Sequence, residues 1–586
     1  MEYLIDQQDI EFLFKDVLDI EGLKACPPYK DYGADDYLMI ANEALKFAKN
    51  EMAPLNQKGD QTGAKLVNGK VILPEGFPEL FKAYGQNGFF AVDIDPQWGG
   101  QGLPVVINSL LMEYFIGANC SFALLSLLTK GASNLVATFG TEELKKQVCQ
   151  KMFSGEWAGT MCLTEPQAGT AVGDLSTKAI PQNDGTFLIQ GTKIFITGGD
   201  HNCADNIIHL VLARVEGDPA GSKGISLFVV PKIWINSDGT LGEPNDIQVV
   251  NIEHKMGINA SPTCLVTFGD NKKCRGFLVG ERRQGLPQMF QLMNEARLNV
   301  GLQGLAIGST AYEHAKKYAK ERVQGGSTSI IEYPDVKRML ATQKAYVEAL
   351  RAMIYTAAIF EDLSHHHPDT KVREPAEDLI DFLTPICKAY GSDRGFDICN
   401  LAVMVHGGYG YTREYPVEQY LRDVKISAIY EGTNGVQALD LLGRKLRLKN
   451  GGLFKTYYEW IQQFCEQAKS DATVGALIPQ LNKALQHLRE SVEIFAQKSS
   501  ENLGYAQLHA MPFLNSCGDV TSAFLLLKAA SIAGNQLKSA SLAQEKTFYE
   551  NKIKTARFFV SQILPQTESR LTSLKSGDES GLELEF

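Results

Sequence analysis

Over residues 1–158 the apolar positions recur mostly at helical spacing, as in YLMIANEALKFAKN and VINSLLMEYFIGANCSFALLSLLTKGASNLVATF, the pattern of a face or whole helix packed into a core. WGGQGLP at 98–104 interrupts it as a glycine-rich turn. From about 159 to 280 the texture changes to short runs of β-branched and aromatic residues bounded by Gly, Asn and Asp: TFLIQG, TKIFITGG, NIIHLVLARV, GISLFVVPK and CLVTFGD. That spacing predicts a small antiparallel β domain. Long helical patterns resume near 286 with LPQMFQLMNEARLNVGLQGLAIGSTAYEHAKKYAKER, and continue past 450 through LIPQLNKALQHLRESVEIFAQ and DVTSAFLLLKAASIAG.

The predicted fold class is therefore α+β, mainly α. Its parts are an N-terminal helical domain over 1–158, the β domain over 159–280, a helical domain of four-helix type over 281–450, an added helical domain over 451–575, and an acidic tail, SGDESGLELEF, over 576–586. A chain of 586 residues accommodates about four units of ordinary domain size. No internal repeat or long low-complexity linker is visible.

Charge narrows the choice of partners. With 57 Lys and Arg against 68 Asp and Glu, the net charge is −11, which argues against a nucleic-acid groove or an anionic membrane surface as the main partner. The eleven cysteines are scattered without a C-x-x-C or a zinc-like spacing and read as reduced thiols. The N-terminus, MEYLIDQQDIEFLF, is acidic and resembles neither a signal peptide nor a transit peptide. No apolar run reaches membrane-spanning length. These readings predict a cytoplasmic protein.

Several familiar chemistries are missing from the sequence. Gly408-Tyr409-Gly410 is followed by Arg413 where a dinucleotide fingerprint needs its third glycine, and a helical segment precedes it. There is no Walker loop, G-x-S-x-G or H-E-x-x-H. His365-His366-His367, beside Pro368 and Asp369, reads as a solvated helix end, and no metal site is expected.

Other stretches carry polar groups in places that suit a flat or phosphorylated ligand. AIYEGTNGVQ at 428–437 sets Glu431 before a helix; Asn434-x-x-Gln437 resembles a capping box, so the acid is open to a capping or a chemical reading. MCLTEPQAGT at 161–170 offers hydroxyls and backbone N–H groups in a turn. KIFITGG at 193–199 puts Phe195 and Thr197 at a strand end, where an aromatic face and a hydroxyl meet one ligand. KERVQGG at 320–326 places Arg322 and Gln324 just past a helix, a guanidinium fork suited to pyrophosphate or an ordinary charged helix end. HGGYGYTREYPVEQYLRDVKI at 406–426 opens with glycines that admit close backbone approach or cap a helix.

In this order, across a chain that runs helix, β, helix, these stretches resemble the acyl-CoA dehydrogenase family over about residues 35–450, most specifically in LTEPQAGT, HKMGINASPTC, GGYGYTREYPVEQYLRDVKI and IYEGTNGVQALDLLGRKL. The length and the extra C-terminal helices are most similar to the long members, among them 3-methylmercaptopropionyl-CoA dehydrogenases. The resemblance implies FAD bound extended between the β domain and the C-terminal helices, with a neighbouring subunit completing its site. Leu163, Thr164, Gly169 and Thr170 would contact the isoalloxazine and pyrophosphate region. Phe195, where many members carry Trp, would flank the ring with Ile196 and Thr197. Arg322, Gln324, Gly407 and Gly408 would reach the ADP half across a homodimer or larger oligomer, and Thr433 and Gln437 would add contacts.

By the same resemblance Glu431 is the base that takes the α-proton of a saturated acyl-CoA while the β-hydride passes to flavin N5, giving a trans-2-enoyl-CoA. Its backbone N–H and a flavin ribityl hydroxyl would stabilise the thioester oxyanion, Gly432 would keep the backbone clear, and Arg297 would lie near the thioester. An electron-transferring flavoprotein is the implied acceptor, in β-oxidation of fatty acids. Some members hold the base just before the Arg of a helix that reads NEAR here; Ala296 occupies that slot, and Glu295 is a second choice. The chain departs from the family at Met404, usually Gln, and at Ala171, often Asp. An acyl-CoA oxidase returning electrons to oxygen, and a catalytically silent homologue acting as an assembly partner, are the alternatives.

Overall fold

The computed structural model describes residues 2–586, the side chains at positions 291, 292, 294 and 499 excepted. It is 63% helical and 12% strand, which makes the chain mainly α with one substantial sheet. Two compact units divide it, one mainly Ala44–Leu103 and Tyr114–Ala296, the other Leu4–Glu43, Pro104–Glu113 and Arg297–Phe586.

The first unit is organised by an eight-stranded sheet: β1 (Trp157–Cys162), β2 (Lys178–Pro181), β3 (Phe187–Thr197), β4 (Asn206–Val215), β5 (Ile225–Pro231), β6 (Ile247–Ile252), β7 (Thr263–Phe268) and β8 (Arg275–Leu278). The main path runs β6-β7-β3-β8-β5-β4-β1, with β2 paired to β3 and β4. The sheet differs from the antiparallel expectation at two ladders, because β1 and β2 each run parallel to β4. A parallel pair needs a long crossover, and residues 163–205, which themselves include β2 and β3, supply one between β1 and β4. Ile208, Leu210, Leu212, Leu227 and Val229 pack with Trp157, Val136 and Met152 into one core, each such aliphatic side chain contributing about 1.5–3 kcal/mol by burial.

Helix α1 (Val105–Phe139) bends at Asn119, whose backbone leaves helical geometry at φ −159°, ψ 87°. The Asn119 side chain accepts from Phe122 N at 3.2 Å and donates to Met52 O at 3.2 Å, so the residue caps the second half of its own helix.

The second unit is helical. Its long members are α2 (Gly285–Glu321, from Arg297 onward), α3 (Pro334–His366) and α4 (Thr370–His406), followed by α5 (Val417–Val424) and α6 (Asn434–Asp440). Glycines set the distance between α2 and α4: a Cβ at Gly301 would stand 2.3 Å from Cys387 O, and one at Gly304 2.2 Å from Gly391 O. His365 and His366 end α3 exposed to solvent.

The added helices belong to this unit. Helix α7 (Ala510–Ser539) is buried along most of its length and packs against α4 and α6. Gly518 of α7 lies against the ring of Tyr390, where a Cβ would come within 2.3 Å. Tyr390 donates to Asp519 at 2.7 Å, and Arg570 of helix α8 (Gln566–Lys575) donates to the other Asp519 oxygen at 2.6 Å.

Contrary to the sequence expectation, α1 and α7 are long and apolar enough to cross a membrane by length and composition. The apolar window of each is 89% and 83% buried inside the protein, as in core helices of a folded domain.

A buried ionic cluster ties the N-terminal segment into the second unit. Arg351 pairs with Asp9 and, at 2.6 Å, with Glu113; Lys552 pairs with Asp9 and, at 3.3 Å, with Glu348, which also holds Lys344. Burial pushes the Asp9 carboxyl up, and Lys552 and Arg351 outweigh it and hold the group well below the usual range. Breaking a buried network leaves uncompensated charge. Arg351→Met is therefore expected to lower stability by about 3–5 kcal/mol, read as an earlier midpoint in chemical denaturation; an unchanged midpoint would refute this role.

Candidate active site

In the first unit, β1 runs into the turn that holds Leu163 and Thr164, both half-buried, while Gly169 and Thr170 are exposed. Glu165, in the middle of this turn, is 1% exposed and fixes the loop. It pairs with Lys193 at 2.9 Å and accepts from Ser176 N and Oγ at 2.6 Å and from Thr177 N at 3.0 Å. Lys193 also donates to Leu163 O at 3.0 Å, and Ile194 N to Thr164 O at 2.9 Å. A Cβ on Gly169 would meet nothing within 4 Å, leaving that backbone open to a ligand.

Strand β3 ends on an irregularity. Its register against β7 shifts between the Cys264–Ile196 and Val266–Lys193 pairs, Phe195 takes φ +60°, and its ring is 60% exposed. The bulge thus turns an aromatic face out of the sheet. Ile196 is buried and offers a ligand only its backbone; Thr197 is half-buried.

In the second unit Arg322, Gln324, Gly407 and Gly408 line one cavity of about 450 Å³ together with Met404 and Tyr409. The Arg322 guanidinium lies 5.6 Å from the Tyr409 ring centre. With its amide oxygen turned inward, Gln324 accepts from Arg322 Nη2 at 2.5 Å, and its carbonyl accepts from Tyr333 at 2.7 Å. Helix α4 stops at Gly407, whose φ of +60° and ψ of −139° favour glycine. A Cβ at Gly407 or Gly408 would touch nothing within 4 Å. Met404, 60% exposed, brings a thioether to this cavity.

Glu431 sits in the same unit, before α6, at φ +56°, a conformation that costs a non-glycine residue about 1–3 kcal/mol and tends to mark functional sites. Three residues hold it there. Gln437 Nε2 donates to the carbonyls of Glu431 at 3.2 Å and Gly432 at 3.3 Å. Thr433 caps α6 by accepting from Val436 N at 3.3 Å. Asn434 donates to Asp393 at 2.7 Å and Ser392 Oγ at 3.0 Å, and accepts from Lys388 at 3.0 Å, all on α4.

The capping-box reading of Asn434 and Gln437 is thereby corrected. Thr433 is the cap, because Asn434 is already the first helical residue and its side chain is drawn into α4. Gln437 turns back to carbonyls, and its Oε1 is buried with no partner among the described residues.

Glu431 is half-buried as a residue. Burial pushes its carboxyl up, Arg297 and then Lys388 pull it down, and the balance lies above the usual carboxylate value. Arg297 is 6% exposed, contacts Asp440 at 3.7 Å, and has a buried Nε without a partner among the described residues. The Glu431 N–H likewise donates to no described residue. A basic carboxylate, a free N–H and a buried cation suit abstraction of a weakly acidic proton next to a polarised carbonyl.

Glu295, the second choice, lies in the first unit and is committed elsewhere. It pairs with Lys130 at 2.8 Å and accepts from Asn134 at 3.3 Å; burial pushes its carboxyl up, and Lys130 and these hydrogen bonds bring it below the ordinary value. Sequence reading missed Glu165 and Lys388, and took Asn434 for a cap. Their partners are remote in the chain or one to three turns along another helix, so no local spacing announces them.

The first unit thus offers an exposed aromatic face and an open glycine backbone, the second an arginine-lined cavity and a raised carboxylate, and each suits the binding or chemistry of a flavin-dependent oxidoreductase. Family profiles agree: residues 34–156, 160–271 and 283–446 match the N-terminal, middle and C-terminal domains of acyl-CoA dehydrogenase, and 457–585 match the profile described as acetyl-CoA dehydrogenase C-terminal like. A butyryl-CoA dehydrogenase of Syntrophomonas wolfei is 36% identical over 99% of this chain and 98% of its own. A 3-methylmercaptopropionyl-CoA dehydrogenase of Ruegeria pomeroyi is 36% identical over 98% of each. The solved acyl-CoA dehydrogenase of Bacillus anthracis, complexed with FAD, shares the fold at TM-score 0.76 and 23% identity, covering 94% of this chain and 90% of that one.

The chain belongs to the acyl-CoA dehydrogenase family, in its long form with the additional C-terminal domain. It is an oxidoreductase of an FAD-dependent family, and the open backbone at Gly169, Gly407 and Gly408 and the unpartnered Gln437 Oε1 fit such a cofactor.

Burial raises the Glu165 carboxyl, but Lys193 and the Ser176 and Thr177 hydrogen bonds hold it well below the ordinary range. Its stabilisation is present above the unfolded carboxylate value of about 4.3 and is lost as pH falls through the lower folded value. Glu165→Gln should cost about 3 kcal/mol at pH 7, with the gap from wild type narrowing below about pH 4; a gap independent of pH would refute the charged role.

Proposed function

We propose that the chain catalyses α,β-dehydrogenation of a short saturated acyl-CoA to the trans-2-enoyl-CoA, with Glu431 as the base. The observation that carries this is the carboxylate raised above its ordinary value on a strained backbone beside a free N–H. Acyl length is inferred from two full-length relatives named for butyryl and methylmercaptopropionyl thioesters.

FAD, when bound, supplies the acceptor for the β-hydride. Leu163, Thr164, Gly169 and Thr170 would hold it through the LTEP turn, Phe195, Ile196 and Thr197 along the ring, and Thr433 and Gln437 beside α6. Arg322, Gln324, Gly407 and Gly408 would bind its ADP half, from a second copy of the chain in a homodimer or larger assembly. Glu431 takes the α-proton onto its carboxylate, and its N–H donates to the thioester oxygen as negative charge develops there. Gly432, at φ +83°, keeps the adjoining backbone free of a side chain. Arg297 would lie near the thioester, and its charge disfavours protonation of Glu431. Electrons would pass to an electron-transferring flavoprotein, in cytoplasmic β-oxidation.

Anaerobic addition of butyryl-CoA or 3-methylmercaptopropionyl-CoA to the purified protein is expected to bleach the flavin spectrum. Glu431→Gln should retain the flavin and lose about 10²–10⁴-fold in the rate of bleaching. A flavoprotein that no saturated acyl-CoA bleaches, or an unimpaired Glu431→Gln, would refute the reading. Stoichiometric peroxide in air, with no transfer to an electron-transferring flavoprotein, would instead identify an oxidase.

A further inference from the structure

Lys388 has no part in the mechanism above, yet it is wholly buried on α4, 0% exposed. Among the described residues it forms no ion pair within 4 Å; its described partner is the neutral amide oxygen of Asn434, at 3.0 Å. A buried ammonium with no carboxylate bonded to it is costly. Something must offset that cost, and the carboxylates whose charge reaches Lys388 are Glu431 first and Asp393 second.

We infer that Lys388 is a positioning residue for the base: through Asn434 it anchors the first turn of α6, and through its charge it keeps Glu431 ionised. The inference rests on the proposed role of Glu431. Asn434 is adjacent to the Glu431-Gly432-Thr433 turn, and its side chain joins Lys388, Ser392 and Asp393, so the left-handed backbone of Glu431 is referenced directly to α4.

The charged groups around the base differ in how far they are committed. Arg297, on α2, faces Asp440 of α6 as well as Glu431, and Arg444 pairs with that Asp440 at 2.6 Å. Asp393, on α4, is hydrogen-bonded to Asn434 and lies in the fields of Arg394, Lys425 and Lys388. Lys388 feels Glu431 first and Asp393 second, with Arg297 opposing it. Burial brings the amine down to about 8, so it remains mostly protonated at neutral pH. An ammonium there favours the carboxylate form of Glu431 and lowers its pKa; without it burial would leave more of the base protonated and idle.

The test separates charge from anchoring. Lys388→Gln keeps a hydrogen-bond donor for Asn434 and loses the charge, whereas Lys388→Arg keeps the charge. The pH titration of Glu431 is followed by the carboxyl stretch of its protonated form in infrared difference spectra against Glu431→Gln. We expect the titration to move up by about 1 pH unit in Lys388→Gln and to stay near wild type in Lys388→Arg, with Lys388→Met shifted in the same direction as Gln.

The acid limb of acyl-CoA-driven flavin reduction should move in step. A lysine that serves packing alone would lower the rate by one factor at every pH. An unmoved Glu431 titration in both neutral variants overturns the inference. If the titration moves while no acyl-CoA reduces the flavin, the assignment of Lys388 stands and the proposed reaction falls.

Discussion

As the proposed base, Glu431 would have to keep a negative charge at a site where burial opposes that charge, and its neighbours in the second unit bear on this constraint. Dryness alone would protonate the carboxylate, and close ion pairing alone would make it a poor base. Arg297 and Lys388 stand near enough to oppose burial, but neither forms an ion pair with Glu431 within 4 Å among the described residues. The intermediate result requires fixed distances, and hence a backbone that cannot relax. The left-handed φ at Glu431 is held by Gln437 and Asn434, and Asn434 in turn by α4.

That rigidity extends outward by packing. Gly301 and Gly304 let α2 approach the α4 backbone, which sets the two helices carrying Arg297 and Lys388 at a definite separation. The added C-terminal helices continue the support: α7 packs on both α4 and α6, and Asp519 ties Tyr390 of α4 to Arg570. Residues beyond 451 therefore buttress the elements that place Glu431. In the first unit Glu165 performs a comparable service, converting the LTEP turn from a mobile connection into a fixed shelf through Lys193, Ser176 and Thr177.

Much of this was legible in the sequence. The switch from helical to alternating periodicity and back marked the sheet and the helices on either side, because burying a face imposes its period on the chain. The short motifs carried the family resemblance. The sequence pattern misled where a local rule met a tertiary partner. Asn434 looked like a cap, but α4 offered its amide better bonds than the helix N-terminus did. The strands looked uniformly antiparallel because alternation does not encode direction. Helices α1 and α7 escaped notice as apolar spans because their small polar residues break the run without breaking the burial.

By itself the sequence determined which residue types are available: one acid before Gly-Thr-Asn-Gly, an empty neighbouring slot at Ala296, glycines where backbone must stay open, and the periodicity that fixes the class of fold. These are properties of short windows, where spacing along the chain equals spacing in the molecule. Tertiary structure alone decided the electrostatics: that Glu295 is consumed by Lys130, that Glu165 is structural, and that the charge of Lys388, 43 positions before Glu431, acts on that carboxylate. Coulomb energies and desolvation depend on distance and burial in three dimensions, which no single window of sequence contains.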